Sequence, residues 1–550
     1  MGERVMSKRL TRLILLVIVV LQCGVMLFWA SRKAYYYIDE WYTFEYSQSI
    51  NHRKGDIEYM PLSPQWKNKQ WMDVGDLKTR FTLEKGESVF DIPFSKSVRL
   101  FFKDRNYMWI INVLETAFGK EEAPKWICIS FNIVILALFQ FLLFYFMAGC
   151  LGVDRRSALL AVAMWGFCPL VMGLAVFCRF YAWTLFLFLV ALILHKLMWD
   201  SSSHIKIIIC ELAAMLALYL AFRNSELVFV LGGSLILFFT IALIVRKRYV
   251  QSLYYILPVI GAALLMPHTI KFIKVVLHPA AHTAIYHGGM RSLVSKHVKF
   301  MLTSTWAEKT DALFNSVKQF GDSVFGSPIL LIIAVVCLIV LFITVVAAKK
   351  KVPRRVDGFV LVIFGVSVVF WFFCGICGIT KSRYLSFLFL LGAILLWTVF
   401  DRLVRGHRAE GLIRKAALCL VLAVAILPFF RKNIDYVYDG WQPIFEKLDE
   451  YKGRDALVDY TSLFVLYESV DFLDPSARIY PVKSYSPNEP FSNRFGVSLP
   501  DLPKTFLFWT DNTMNPYLIL GQIRQCGYRV SDTIKWGVTT VYVFEEKKPK

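Results

Sequence analysis

Eleven runs of about twenty apolar residues set the terms for this chain, because a run of that length crosses a ~30 Å hydrocarbon layer as one helix. They lie near 10–30, 125–149, 157–177, 180–199, 205–222, 226–245, 252–275, 328–348, 357–379, 384–400 and 414–430. Backbone polar groups inside lipid must find partners within their own segment, so such runs fold as helices. Composition agrees: 57% of the 550 residues are hydrophobic and 19% are charged, with a mean hydropathy of +0.51. A soluble chain of this length cannot bury that much apolar surface. The first run is too long for a signal-peptide core, and "WASRKA" is a poor cleavage site, so it counts as a span.

The charge balance, 62 Lys plus Arg against 41 Asp plus Glu, gives +21. The basic residues crowd into short loops: "GERVMSKRLTR", "GVDRRS", "VRKRY", "KKKVPRR" and "DRLVRGHRAEGLIRK". All fall on one side of an eleven-span chain whose N-terminus is cytoplasmic, as the positive-inside rule asks. Topology thus accounts for the charge, and no nucleic-acid partner is expected. The same alternation puts 31–124, "CRFY", "RNSE", 276–327, "TKSR" and everything after about 431 on the outer face.

The outer segments differ among themselves. In 31–124 a helical start precedes "RFTLEKGESVFDI", which reads as a hairpin turning at Gly86. "SVRLFFKDRNYMWIINVLETAFG" follows, with apolar positions every three or four residues, the pattern of helices lying on a membrane surface. The loop 276–327 carries His278, His282, His287 and His297, too scattered for a metal site. Cys374 and Cys377 have CxxC spacing but sit inside an apolar run, where cysteine packs as a small hydrophobe. Residues 431–550 alternate strand and helix patterns: strand "DALVDY", strands "KTFLFWTD" and "TTVYVFEE", and helix "LILGQIRQCGYRV" between the last two. The expected division is a membrane domain at 1–430 and a small extracytoplasmic α/β domain at 431–550.

Asp39 and Glu40 follow the first span at once, within "AYYYIDEWYTFEYSQS". On a helix their side chains diverge by about 100°, while Tyr42 and Thr43 share the Asp39 face. Acids at a helix start often serve only as caps. Here further charges gather at the same membrane boundary: Arg179 in the turn "FCRFYAW", Lys381 and Arg383 in "GITKSRYLSF", and Asp104 in "FFKDRNYMWI". Cations at a membrane rim either snorkel to head groups or bind an anion. Arginines suit a lipid-linked phosphate, and a carboxylate suits a base that takes a proton from a hydroxyl.

The acidic pair, the surface helices, "CRFY" and the late "SRYL" together resemble the GT-C superfamily of membrane glycosyltransferases. Within it the chain is similar to protein O-mannosyltransferases and lipid A aminoarabinose transferases. The resemblance spans roughly 10–430 plus an outer C-terminal domain. It implies a polyprenyl-phosphate sugar donor, an acceptor hydroxyl on a lipid, glycan or protein, and inversion at the anomeric carbon. It also implies Asp39 as base, with Glu40 and Asp104 as the other acidic site residues. Arg179, Tyr181, Lys381, Arg383 and Tyr384 take the donor-phosphate side. No metal ligand is assigned, and a divalent cation at the acidic pair is left open. Two positions depart from the family pattern. "DRNYMW" lacks the His and both Pro that follow the equivalent of Asp104, and Phe177 stands where close relatives carry Glu. Family context places the protein in a bacterial plasma membrane. Three other readings stand beside the enzyme: an inactive relative in envelope assembly, a glycan polymerase or ligase, and a transporter of lipid-linked substrates.

Overall fold

The computed structural model describes residues 7–48, 70–83, 86–103, 106–119, 124–265, 297, 299–347, 357–405, 407, 409–431, 434–460, 462–482, 499, 501–512 and 516–547. Asp104 and the histidines at 278, 282 and 287 lie outside them. The chain forms two compact units: 1–30 with 132–176 and 180–435, and 31–131 with 177–179 and 436–550.

The first unit is a bundle of membrane helices. All eleven apolar runs are helical where described. Among the described residues nine helices are long and apolar enough to cross a membrane, and the protein is an integral membrane protein. The third run is broken: Arg155–Phe167 and Pro169–Val176 meet at 52°. Proline offers no N–H to the preceding turn and forces the residue before it out of helical geometry. Cys168, at φ −70° and ψ 152°, is that extended residue. The seventh run appears as Tyr249–Leu265 with Pro258 inside it, and the rest of that run lies outside the described residues.

Two polar clusters tie loops of this unit together. Asp401 accepts from the Asp154 N–H at 3.2 Å and from Ser157 Oγ at 2.9 Å. It also pairs with Arg405 at 2.6 Å and Arg414 at 3.5 Å. Lys196 bridges Asp200 and Asp357 at 2.6 and 2.7 Å, and the Arg246 guanidinium lies 3.7 Å from the Trp199 ring centroid. These contacts hold "GVDRRS" to "DRLVRGHRAEGLIRK", and "VRKRY" to the start of the Gly358–Ile376 helix.

The second unit is built on a six-stranded sheet in the order β1-β3-β2-β4-β6-β5. The strands are β1 Met72–Asp73, β2 Ala456–Asp459, β3 Arg478–Val482, β4 Thr505–Asp511, β5 Tyr528–Trp536 and β6 Thr539–Glu546. β2 runs parallel to β3 and β4, and every residue of it is buried, as a strand covered on both faces requires. The β4–β6 and β5–β6 pairs are antiparallel. The β1 strand, from the segment between the first two apolar runs, adds antiparallel to β3. The expected hairpin at Gly86 is not formed among the described residues. The Asp91 carboxylate accepts from the Gly86 and Ser88 N–H groups at 3.0 and 3.2 Å and folds the segment into a compact turn instead.

Candidate functional site

The acidic pair opens the helix Ile38–Gln48 in the second unit. Glu40 is its third residue, and Glu40 Oε2 reaches back to the Tyr37 N–H at 2.7 Å, half of a capping box. The same oxygen accepts from Lys33 Nζ at 3.1 Å, with both side chains fully buried. Oε1 accepts from the Cys178 N–H at 2.8 Å. Burial pushes the Glu40 carboxyl above the usual range, while the Lys33 ammonium and the Cys178 and Tyr37 N–H groups pull it down. Both oxygens are therefore committed to donors. Glu40 clamps the turn 177–179 to the helix that carries Asp39.

That turn is tight: the Arg179 N–H donates to the Phe177 carbonyl at 2.6 Å, a γ-turn closure. The Phe177 ring stacks on Tyr436 with centroids 3.9 Å apart and a 15° tilt. Phe177 is thus an aromatic anchor for the turn. The turn delivers Arg179, 6% exposed, whose Nη1 donates to Thr43 Oγ1 at 3.2 Å. The Thr43 hydroxyl in turn donates to the Asp39 carbonyl at 3.3 Å. Asp39 itself is half-buried. The Tyr42 hydroxyl registers both charges: burial and Asp39 push its pKa up, and Arg179 pulls it down. A guanidinium 140 positions away in sequence thus bonds the helix that carries Asp39, one turn from it.

Two lysines that sequence reasoning did not single out belong to this assembly. Lys33 donates to the Tyr436 carbonyl at 2.6 Å as well as to Glu40. Lys125 pairs with Asp471 at 2.8 Å. Their ammonium groups each lie 4.8 Å from the Tyr36 ring centroid. The available signal was "SRKA", a basic pair at the end of the first span opposite the N-terminal Lys/Arg cluster, where the expected topology does not call for one.

The remaining assigned residues belong to the first unit. Arg383 is 4% exposed near the start of the Ser382–Val404 helix. Its guanidinium lies 5.0 Å from the Tyr384 ring centroid, and its Nη2 donates to the Tyr384 hydroxyl at 3.4 Å. The Tyr384 ring packs edge-on to Tyr181 at 6.0 Å. Tyr181, Arg383 and Tyr384 are thus brought together, whereas Lys381, at the helix N-cap, is exposed. Among the described residues no group of three or more His, Cys, Asp or Glu side chains is arranged to hold a metal ion.

No family model and no curated protein matches the sequence. Among solved structures, the chain is similar to the crystal structure of ArnT from Cupriavidus metallidurans bound to undecaprenyl phosphate. The two are 11% identical, with a TM-score of 0.48 over 96% of this chain and 97% of that one.

Proposed function

We propose that this protein is a membrane glycosyltransferase. It moves a sugar from a polyprenyl-phosphate donor to an acceptor hydroxyl on the outer side of the membrane, with inversion. The observation that carries the reading is that buried Arg179 bonds Thr43, one helical turn from half-buried Asp39 on the same helix. Asp39 takes the proton of the acceptor hydroxyl as that oxygen bonds to the anomeric carbon. The bond from the anomeric carbon to the phosphate oxygen breaks, and its electron pair leaves on the phosphate. Arg179 supplies positive charge for the negative charge that develops, in a site where water competes poorly. A phosphate leaves without a proton, so the reaction needs one carboxylate, where glycoside hydrolysis needs two. Glu40 keeps the arginine turn in register with Asp39. Arg383 is the second guanidinium that the sequence assigns to the donor phosphate.

The test is release of free polyprenyl phosphate by purified protein given a polyprenyl-phosphate sugar and an extract of candidate acceptors. Asp39→Asn keeps size and loses the basic lone pair, so turnover should fall about 10²–10⁴-fold with donor binding retained. A variant that keeps more than about a tenth of wild-type turnover removes Asp39 as the base.

A further inference from the structure

The turn that carries Arg179 uses the backbone of Cys178, and the thiol of that residue has a separate neighbour. It lies on the first turn of the second apolar run, the helix Lys125–Phe144. Its Sγ donates to the Lys125 carbonyl at 3.7 Å. It also makes a side-chain hydrogen bond to Cys128, three residues further along the same helix face. The Tyr107 hydroxyl bonds the Cys128 sulfur as well. Cys128, Cys178 and Tyr107 are each 0% exposed. Two sulfurs from distant parts of the chain are thus packed on each other inside the second unit.

Each sulfur is held by contacts that do not involve the other. The Cys178 N–H is fixed on Glu40 Oε1 at 2.8 Å, and Phe177 beside it stacks on Tyr436. On the other side the Cys128 N–H donates to the Pro124 carbonyl at 3.0 Å, and Lys125 pairs with Asp471 at 2.8 Å. The two thiols are therefore preorganised, and a bond between them orders little more of the chain.

We propose that Cys128 and Cys178 form a disulfide that clasps the Arg179 turn to the second apolar helix. The disulfide rests on the outer-face placement of the reading above, since extracytoplasmic compartments are oxidising and the cytoplasm keeps thiols reduced. The oxidant is itself a disulfide, small or protein-borne. One cysteine thiolate attacks its S–S bond, forms a mixed disulfide and releases one thiolate. The second cysteine thiolate attacks the mixed disulfide, forms the Cys128–Cys178 bond and displaces the oxidant's other sulfur. Two electrons pass to the oxidant, and the two cysteine protons end on its thiols. Burial closes off both sulfurs in the docked turn and pushes the Cys178 thiol well above its usual range, so the exchange belongs to the folding chain. The bond closes a loop that holds the second and third apolar runs, and a cross-link restrains the unfolded chain more as the loop lengthens.

Neither donor nor turnover enters the test. Full-length protein from cells is denatured in the presence of N-ethylmaleimide, digested without reductant and read by mass spectrometry. A linked pair of peptides holding Cys128 and Cys178 should appear, with both sites unalkylated until reductant is added. The same chain made by cell-free synthesis into nanodiscs with glutathione disulfide tests the pair whichever side the turn faces. A link in both preparations supports the clasp. Thiols that pair in the discs and are alkylated in protein from cells put the turn in a reducing compartment: the outer-face reading fails, and with it the disulfide in the cell. Alkylation of both cysteines in both preparations, or links to other cysteines instead, overturns the disulfide while leaving the outer-face reading untouched. Reductant should also lower the melting temperature of linked wild-type protein by several degrees and leave the Cys128→Ser/Cys178→Ser variant unchanged. Linked protein that melts alike before and after reduction overturns the clasp, and that comparison needs no variant to fold.

Discussion

At the scale of single residues, Asp39 and Glu40 are neighbours in sequence with separate tasks. Glu40 is spent on structure, with Lys33 and two backbone N–H groups on its oxygens. Glu40→Gln keeps the shape and strands the buried Lys33 ammonium. Breaking one partner of a buried pair costs about 3–5 kcal/mol, so the variant should melt well below wild type in detergent. Unchanged melting would show that the Lys33–Glu40 pair contributes nothing to the fold. Arg383 asks a different question. A snorkelling anchor needs only charge, and lysine serves as well as arginine. A phosphate ligand needs the planar fork that meets two oxygens together. Arg383→Lys should therefore cost ten- to a hundredfold in donor affinity, turnover or both, from a charge-assisted bond worth about 1.5–3 kcal/mol. Donor titrations of wild type, Arg383→Lys and Arg383→Ala check this, and near-equal constants for wild type and the lysine variant remove Arg383 from the site. The acidic pair itself was legible because it breaks an apolar pattern at a membrane boundary. That Glu40 is the member that braces was not, because that depends on Cys178 arriving from 138 positions away.

At the scale of elements, the helices were legible and the sheet only in part. Hydropathy is a local property, so each span announces itself. Strand β3, "RIYPV", escaped notice because it is short and carries Pro481, and its partners β1 and β2 come from distant segments. Strand β5 alternates polar and apolar residues but follows "LILGQIRQ" so closely that its start, Tyr528, read as the end of that helix. Among the helices outside the apolar runs, Trp306–Val324 begins with a capping box: Thr305 Oγ1 accepts from the Glu308 N–H, and Glu308 Oε2 from the Thr305 N–H. Its end depends on Gly321, whose carbonyl accepts from both the Phe325 and Ser327 N–H groups at 3.0 Å. Gly326, at φ +68°, turns the chain there. Pro328 then starts the next span so close that a Cβ on Gly321 would fall 2.6 Å from Pro328 Cα. Backbone, unlike a side-chain tip, cannot swing away. Gly321→Ala should cost about 1–3 kcal/mol and lower the melting temperature. A variant as stable as wild type would mean that this helix is free to lift from the span.

At the scale of the whole molecule, the open quantity is orientation, and one native thiol reads it. The positive-inside rule gives a side to each loop separately, and the buried clusters of the membrane unit test whether those assignments agree. Asp401 ties the loop at 151–157 to the loop at 401–414, and Asp357 receives Lys196 and the Trp199 N–H from the end of Tyr181–Asp200. Each of these loops falls on the cytoplasmic side of the eleven-span count, and the contacts join loops assigned to the same side. An even number of spans before residue 431 would break the agreement, because it would return the C-terminal region to the side of the N-terminus. The third run is the place to fear such an error, since its 52° bend could make it a re-entrant loop. Cys526 settles the matter without an engineered residue: it is exposed in the C-terminal region. The other exposed cysteines, Cys337 and Cys419, lie inside apolar helices, where a charged reagent gains little access. A membrane-impermeant maleimide should label wild-type protein in intact cells and leave Cys526→Ser unlabelled. Labelling that appears only after permeabilisation would put the C-terminal region in the cytoplasm. Because the Asp401 contacts keep the loops at 151–157 and 401–414 on one side, it would invert the whole set of assignments and remove the outer-face reaction.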